Sequence, residues 1–257
     1  MNGETVSLRK LKSFVRGWVM AFLHPIPLLG FVYLPRFFKD LNRYQHLNGG
    51  QKVAWADLYP CLLDWTINTP FDAHYFYQGA WLGRKLKSAN TKSHVDIASS
   101  VLTISTLSAF VDTIFVDYRP LKANLTGLQS IPGDILDLPF EDESQMSLSC
   151  LHVIEHIGLG RYGDPLNPAG SIEAALELQR ILAVGGNLYL ALPIGRERIC
   201  FNAHRVHDPN TILDMFPRLR LIDFSFVDDL GQFYPEASID SAQHLDYGCG
   251  LYHFKNP

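Results

Sequence analysis

The densest group of side chains able to do acid–base or metal chemistry lies in SCLHVIEHIGLGRYGDP, residues 149–165, where His152, Glu155 and His156 interrupt an apolar run. Two imidazoles and a carboxylate this close suit two kinds of chemistry. They can ligate a divalent metal with His204 as a further ligand, and so imidazole-rich a set favours a transition metal over magnesium, because imidazole is a softer donor than carboxylate. Without metal, His152 or His156 can act as a general base, since an imidazole takes a hydroxyl proton near neutral pH. The plain alternative is packing and hydrogen bonding under a sheet.

Two further segments supply groups that recognise polar molecules. GRERICFNAHRVHDP, residues 195–209, holds Arg196, His204 and Arg205 in what reads as a loop before a helix, and Arg161 and Tyr162 lie in the 149–165 segment. Arginines there suit an anionic substrate group, bound bidentately, although a solvated basic loop would look the same. In the front of the chain His74, Tyr75, Tyr77 and Gln78 combine ring faces with hydrogen-bonding edges, as a sugar or aromatic substrate requires. A plain packing helix or lid is the simpler reading of the same residues.

The elements that would position these groups are legible from residue 94 onward. HVDIA at 94–98, TIFVDY at 113–118, LQSI at 128–131, SLSCLHV at 147–153 and NLYLALP at 187–193 read as strands, with helices to about Phe110 and over 171–182. A helix over 208–216 and strands over 219–227 and 250–256 complete the pattern. The alternation predicts an α/β fold, a doubly wound, Rossmann-like, mainly parallel seven-stranded sheet with one antiparallel strand near its edge. Such sheets bind ligands at the carboxyl ends of their strands. Asp117 and Asp134 both fall there, where a carboxylate can accept from ribose hydroxyls or an adenine amine.

Taken in order, residues 94–193 resemble class I S-adenosylmethionine (SAM)-dependent methyltransferases. Asp96-Ile97-Ala98-Ser99-Ser100 stands where that family has its D-x-G-x-G-x-G-like loop, Asp117 where it has the ribose acid, and Asp134, in GDILDLPF, where it has the acid beside adenine. Val153-Ile154-Glu155-His156 matches its V-L-E-H, and LAVGGNLYLALP at 182–193 matches its L-x-P-G-G-x-L-x-L-x-x-P. Asp96, Ala98, Ser99, Ser100, Asp117 and Asp134 are therefore the cofactor residues the resemblance implies, with small side chains replacing the usual glycines. H-x-x-E-H at 152–156 also fits a zinc-protease pattern, but that pattern needs one helix and here straddles a strand end. It is similar, too, to the E-x-x-E-H of ubiquinone-pathway and small-RNA 3′-end methyltransferases, where it binds a divalent metal. The segments 57–81 and 152–165 look similar to little-characterised methyltransferase-like proteins found among bacterial surface-polysaccharide genes.

The polar stretch SANTKS at 88–93 is the predicted boundary between a mostly helical N-terminal extension or lid (1–90) and the methyltransferase-like domain (91–257). The apolar run from Trp18 to Leu34 is a little short for a bilayer of about 30 Å and is broken by Pro25 and Pro27, so it reads as a buried helical hairpin. Peripheral membrane contact is its alternative reading. A net charge of -4 and a pI near 6.2 give no broad electrostatic reason to expect nucleic acid. Four scattered cysteines, Cys61, Cys150, Cys200 and Cys249, form no CxxC pair, and no secretory leader fits the start, so the expected compartment is the cytoplasm. The expected activity is SAM-dependent O-methylation of a sugar, glycan intermediate or related small polar metabolite. A non-catalytic partner in glycan biosynthesis with the same fold is the rival.

Overall fold

The computed structural model describes residues 30–257, so most of the expected hairpin from Trp18 lies outside the described residues. The chain divides into two compact units at Pro70/Phe71. In the first, α1 (Leu34–His46) begins on Pro35, whose fixed φ suits a first turn. The Arg36 guanidinium covers the Trp65 ring at 3.2 Å and pairs with Asp40 at 3.5 Å.

The second unit begins with α2 (Ala73–Ser88), started by Asp72, whose carboxylate accepts from the Tyr75 amide. This helix was expected in the N-terminal extension, yet Trp81, Leu82 and Leu86 bury themselves with Leu151, Tyr189, Ala191, Cys249 and Leu251 of the sheet. Lys85 adds an ion pair to Asp223 at 2.8 Å, and His253 shares that carboxylate. Hydrophobic contact with the sheet thus moves the division upstream of the polar stretch, which is merely the turn after α2.

From there the elements alternate: β1 (Ser93–Ile97), α3 (Val101–Leu107), β2 (Asp112–Asp117), β3 (Leu128–Pro132), β4 (Gln145–Leu151), α4 (Gly170–Ile181) and β5 (Leu182–Ile194). A hairpin of β6 (Arg198–Cys200) and β7 (His204–Val206), α5 (Thr211–Met215), β8 (Arg220–Val227), β9 (Phe233–Tyr234) and β10 (Gly248–Lys255) follow. The sheet order is β3-β2-β1-β4-β5-β10-β8-β9. Strands β1 to β5 pair in parallel, whereas β10 runs antiparallel between β5 and β8. This is the mainly parallel, doubly wound sheet that the pattern predicts, with the two-residue β9 added as an eighth strand.

Side chains alternate across β5 as the pleat demands. Leu188, Leu190, Leu192 and Ile194 face α4 and α5, while Tyr189 and Ala191 face α2. Helices therefore cover both faces, and the residues after β1 and β4, where strand order reverses, are left to form a crevice. Residues 195–209, read as a loop, fold instead into the β6–β7 hairpin. Its tip takes Asn202 at φ 63, a conformation asparagine tolerates better than most residues. The helix expected over 208–216 is shortened to Thr211–Met215 because Asp208 folds back to accept from Asn210 N and makes a turn.

Candidate functional site

A cavity opens at the carboxyl ends of β1 to β4, at the switch point between β1 and β4. One wall carries Ala98, Asp117, Arg119 and Asp134; the other carries His152, His156, Tyr162 and Asp164.

On the first wall Asp117 closes β2, its Oδ1 accepting from Arg119 N at 2.7 Å, and Oδ2 makes no hydrogen bond among the described residues. Asp134 holds its own turn by accepting from Leu136 N at 2.9 Å. The segment behind it is fastened to α4. Glu177 accepts from Leu138 N at 2.7 Å, and Arg180 donates to the carbonyls of Phe140 and Leu138. Gly133 is required because a Cβ there would lie 2.4 Å from Val116 Cγ1.

The loop after β1 keeps a glycine-like backbone without glycine. Ala98 sits at φ 52 and lines the cavity, while its amide donates to Val116 O. An alanine in the left-handed region costs about 1–2 kcal/mol, and a glycine there costs about 0.5–1 kcal/mol in chain entropy. Ala98→Gly is accordingly expected to raise stability by up to about 1 kcal/mol, read as a higher urea midpoint at unchanged slope. A lower midpoint would show that contacts of the Ala98 methyl outweigh the strain.

Asp96, Ser99 and Ser100 do not line the cavity. Asp96 is fully buried, accepting from Ser99 N at 3.0 Å and from the Ser149 hydroxyl. The Ser99 hydroxyl is used to accept from Leu151 N. Both residues shape the loop from behind. Ser149 in turn accepts from His94 Nε2 at 2.8 Å, and His94 Nδ1 accepts from Ser147 Oγ at 2.8 Å, a buried chain that sequence reading missed. Burial lowers the His94 pKa from 6.5 to about 3 and raises that of Asp96 to about 6, opposed by its serine bonds. In the unfolded chain His94 binds its proton near pH 6.5, so its contribution to stability is lost as pH falls from 6.5 towards 3. His94→Gln is expected to flatten that part of the stability profile in pH-dependent denaturant melts; an unaltered acid limb would refute this origin.

On the second wall, β4 ends at Leu151 and His152 turns the chain at φ 58 before a 3-10 turn, Ile154–His156. The three polar residues are not on one helix, so the zinc-protease geometry is absent. His152 Nδ1 donates to Glu155 Oε1 at 2.9 Å, and its Nε2 lies 3.4 Å from Cys249 Sγ. Burial opposes charge on His152, but Cys249 and Glu155 together outweigh it and hold its pKa above the ordinary range. Burial likewise works to raise the Glu155 pKa, but the bond from His152 and the two neighbouring histidines keep it low. His156 behaves oppositely: burial lowers its pKa, with Glu155 only partly compensating. Its Nδ1 lies 2.6 Å from Ala203 O, which can only accept, so Nδ1 carries the proton and Nε2 keeps a lone pair. Glu155 Oε1 is 3.7 Å from that Nε2.

The expected metal set of His152, Glu155, His156 and His204 does not converge. Glu155 Oε1 is engaged by His152, His156 Nδ1 is turned to Ala203, and His204 packs on Tyr247 with ring centroids 5.4 Å apart. Among the described residues the donor atoms that do converge are those of His74, His152 and Cys249.

The expected substrate residues are also redistributed. Tyr75 and His74 stack on His152, at 5.3 and 5.6 Å between centroids. Tyr77 stacks on Phe233, and Gln78 is fully buried with neither amide atom partnered, so both lie away from the cavity. Arg205 is a buried strap, donating to Ile157 O at 2.7 Å and to Ser171 Oγ at 3.0 Å. Arg196 pairs with Asp246 at the surface, and Arg161 donates to Ala203 O. The cavity arginine is Arg119, which lies over the Tyr162 ring at 4.8 Å and follows Asp117 by two residues. Its only sequence signal was that proximity.

A family described as "Caenorhabditis protein of unknown function, DUF268" matches residues 141–231, roughly a third of the chain, which includes His152, Glu155 and His156 but not the wall with Asp117 and Asp134. No curated protein matches. Among solved structures, the N-methyltransferase NodS from Bradyrhizobium japonicum with S-adenosyl-L-homocysteine superposes with a TM-score of 0.51 over 85% of this chain and 97% of its own, at 15% identity. A geranyl diphosphate methyltransferase in complex with SAM gives 0.51 over 70% and 85%, at 13% identity. The same enzyme with geranyl diphosphate and sinefungin gives 0.52 over 71% and 77%, at 12% identity. The chain shares the fold of SAM-dependent methyltransferases.

Proposed function

We propose that this chain transfers a methyl group from SAM to a hydroxyl of a small polar acceptor, a sugar or glycan intermediate. The observation that carries the reading is one cavity with two dissimilar walls, carboxylates at the ends of β2 and β3 on one and His152 and His156 on the other.

The residues present fit the cofactor. Asp117 keeps a carboxylate oxygen for ribose hydroxyls, Asp134 stands one strand further out for the adenine end, and Ala98 holds the backbone in the conformation a glycine would adopt. When bound, SAM supplies an electrophilic methyl group. His156 Nε2 takes the acceptor's hydroxyl proton, because that ring is neutral and its Nδ1 is fixed on Ala203 O. Glu155, buried with Oε2 unpartnered among the described residues, then stabilises the imidazolium formed beside it. His152 is excluded as the base because its Nδ1 is committed to Glu155 and its Nε2 faces Cys249 Sγ. Tyr162 and Asp164 place polar groups on the acceptor wall, and Arg119 reaches over the Tyr162 ring from the cofactor wall, which supports a hydroxylated acceptor.

The test is calorimetry with SAM and S-adenosylhomocysteine, followed by labelled methyl transfer to a panel of free sugars, sugar phosphates and lipid-linked glycans. Binding of both with transfer to one acceptor is expected. Failure of either to bind would overturn the reading, and binding without transfer to any acceptor would favour a non-catalytic partner with this fold. Among the described residues no helix is long and apolar enough to cross a membrane.

A further inference from the structure

The buried Cys249 at the start of β10 has no part in the cofactor wall or in proton transfer from the acceptor, yet it meets two histidines from distant parts of the chain. We infer that His74, His152 and Cys249 form a site for a zinc-class transition-metal ion.

Three features carry the inference. The donor atoms His152 Nε2 and Cys249 Sγ stand 3.4 Å apart, close to the spacing of about 3.5 Å that tetrahedral zinc imposes on nitrogen and sulfur at their usual bond lengths. All three donor atoms lie within 4.8 Å of one another. His152 is already oriented as metal-bound histidines are: its Nδ1 donates to the Glu155 carboxylate, which fixes the tautomer and leaves Nε2 to ligate. That orientation is held with His152 at φ 58, in the left-handed region. His74, in the first turn of α2 and half-buried, makes no side-chain hydrogen bond among the described residues, so its ring can tilt from the stack on His152 to close the set.

One thiolate and two imidazoles select zinc or cobalt over magnesium or calcium, and three protein ligands leave a fourth position for an oxygen. Binding expels the one proton shared between Sγ and Nε2 into solvent, while the Nδ1 proton stays on the Glu155 bond. The site stands whether or not the chain transfers methyl groups, because its assay needs neither cofactor nor acceptor.

Full-length protein, stripped with chelator and titrated with zinc or cobalt(II), is expected to bind one equivalent. The cobalt form should show a thiolate-to-cobalt charge-transfer band in the near ultraviolet. Cys249→Ser should abolish the band, and His74→Ala should lower zinc affinity at least tenfold with an unchanged far-ultraviolet spectrum. Glu155→Gln should keep the band but weaken affinity by about 10–100-fold, as loss of an outer-shell partner does. A folded wild-type protein that gives no charge-transfer band, or that binds zinc no better than the folded His74→Ala and Cys249→Ser variants, would overturn the site. Tight cobalt binding restored without the charge-transfer band in Cys249→His would support it, since the position would then be shown to face the ion.

Discussion

Asp117→Ala is expected to lower affinity for SAM and S-adenosylhomocysteine by about 100-fold or more while leaving the protein folded. A carboxylate that accepts from two ribose hydroxyls makes two charge-assisted bonds of about 1.5–3 kcal/mol each, and a factor of ten in affinity is about 1.4 kcal/mol. The residue is suited to this because it ends β2 at the cavity, with Oδ1 committed to Arg119 N and Oδ2 without a partner among the described residues. Its side chain contributes little to the core, so near-native thermal unfolding should accompany the loss. Arg119→Ala separates the two possible origins, since it keeps the carboxylate and removes only the neighbouring cation. Isothermal calorimetry on the three proteins decides the matter: an affinity unchanged within threefold in Asp117→Ala would place the nucleoside elsewhere.

His156→Ala should cost about 10²–10⁴-fold in single-turnover methyl transfer with SAM affinity intact, which is the range for removing a general base. His152→Ala has a different expected signature, a loss of positioning with Tyr75 and Glu155 disturbed. The pH profile separates the two residues. His156 is useful only when neutral, and burial lowers its pKa, so the wild-type rate should rise through a midpoint below pH 6.5 and stay level above it. Cys249 and Glu155 raise the His152 pKa against the effect of burial, so a base at His152 would instead give a rate still rising well above neutrality. A rising limb above pH 8 in wild type, or a full rate in His156→Ala, would remove His156 from the reaction.

The strand and helix series from residue 94 was readable because most of the strands are short, apolar runs bounded by polar turns, and because α4 repeats its apolar residues at helical spacing. Asp117 and Asp134 could be placed at strand ends for the same reason, since a local pattern fixes where a strand stops. Glu155 beside His152 and His156 was visible as a cluster, yet which histidine keeps its proton was not. That depends on Ala203 O, 47 residues away, and on Cys249, 97 residues away.

The surroundings of other candidate residues were hidden from the sequence for the same reason. Arg205 and Gln78 carry chemistry-bearing side chains, but tertiary packing turned one onto backbone carbonyls and buried the other. Ser99 and Asp96 lie in the expected loop, but the strands beside them consume their hydrogen-bonding capacity. By itself the sequence determined the order of the elements, the sheet's parallel character and the acids at its carboxyl edge, because those follow from periodicity over a few residues. Only the tertiary structure decided which side chains face the cavity, that α2 belongs to the sheet, and that His74, His152 and Cys249 meet. Those outcomes rest on contacts between segments far apart in the chain, and no local spacing encodes them.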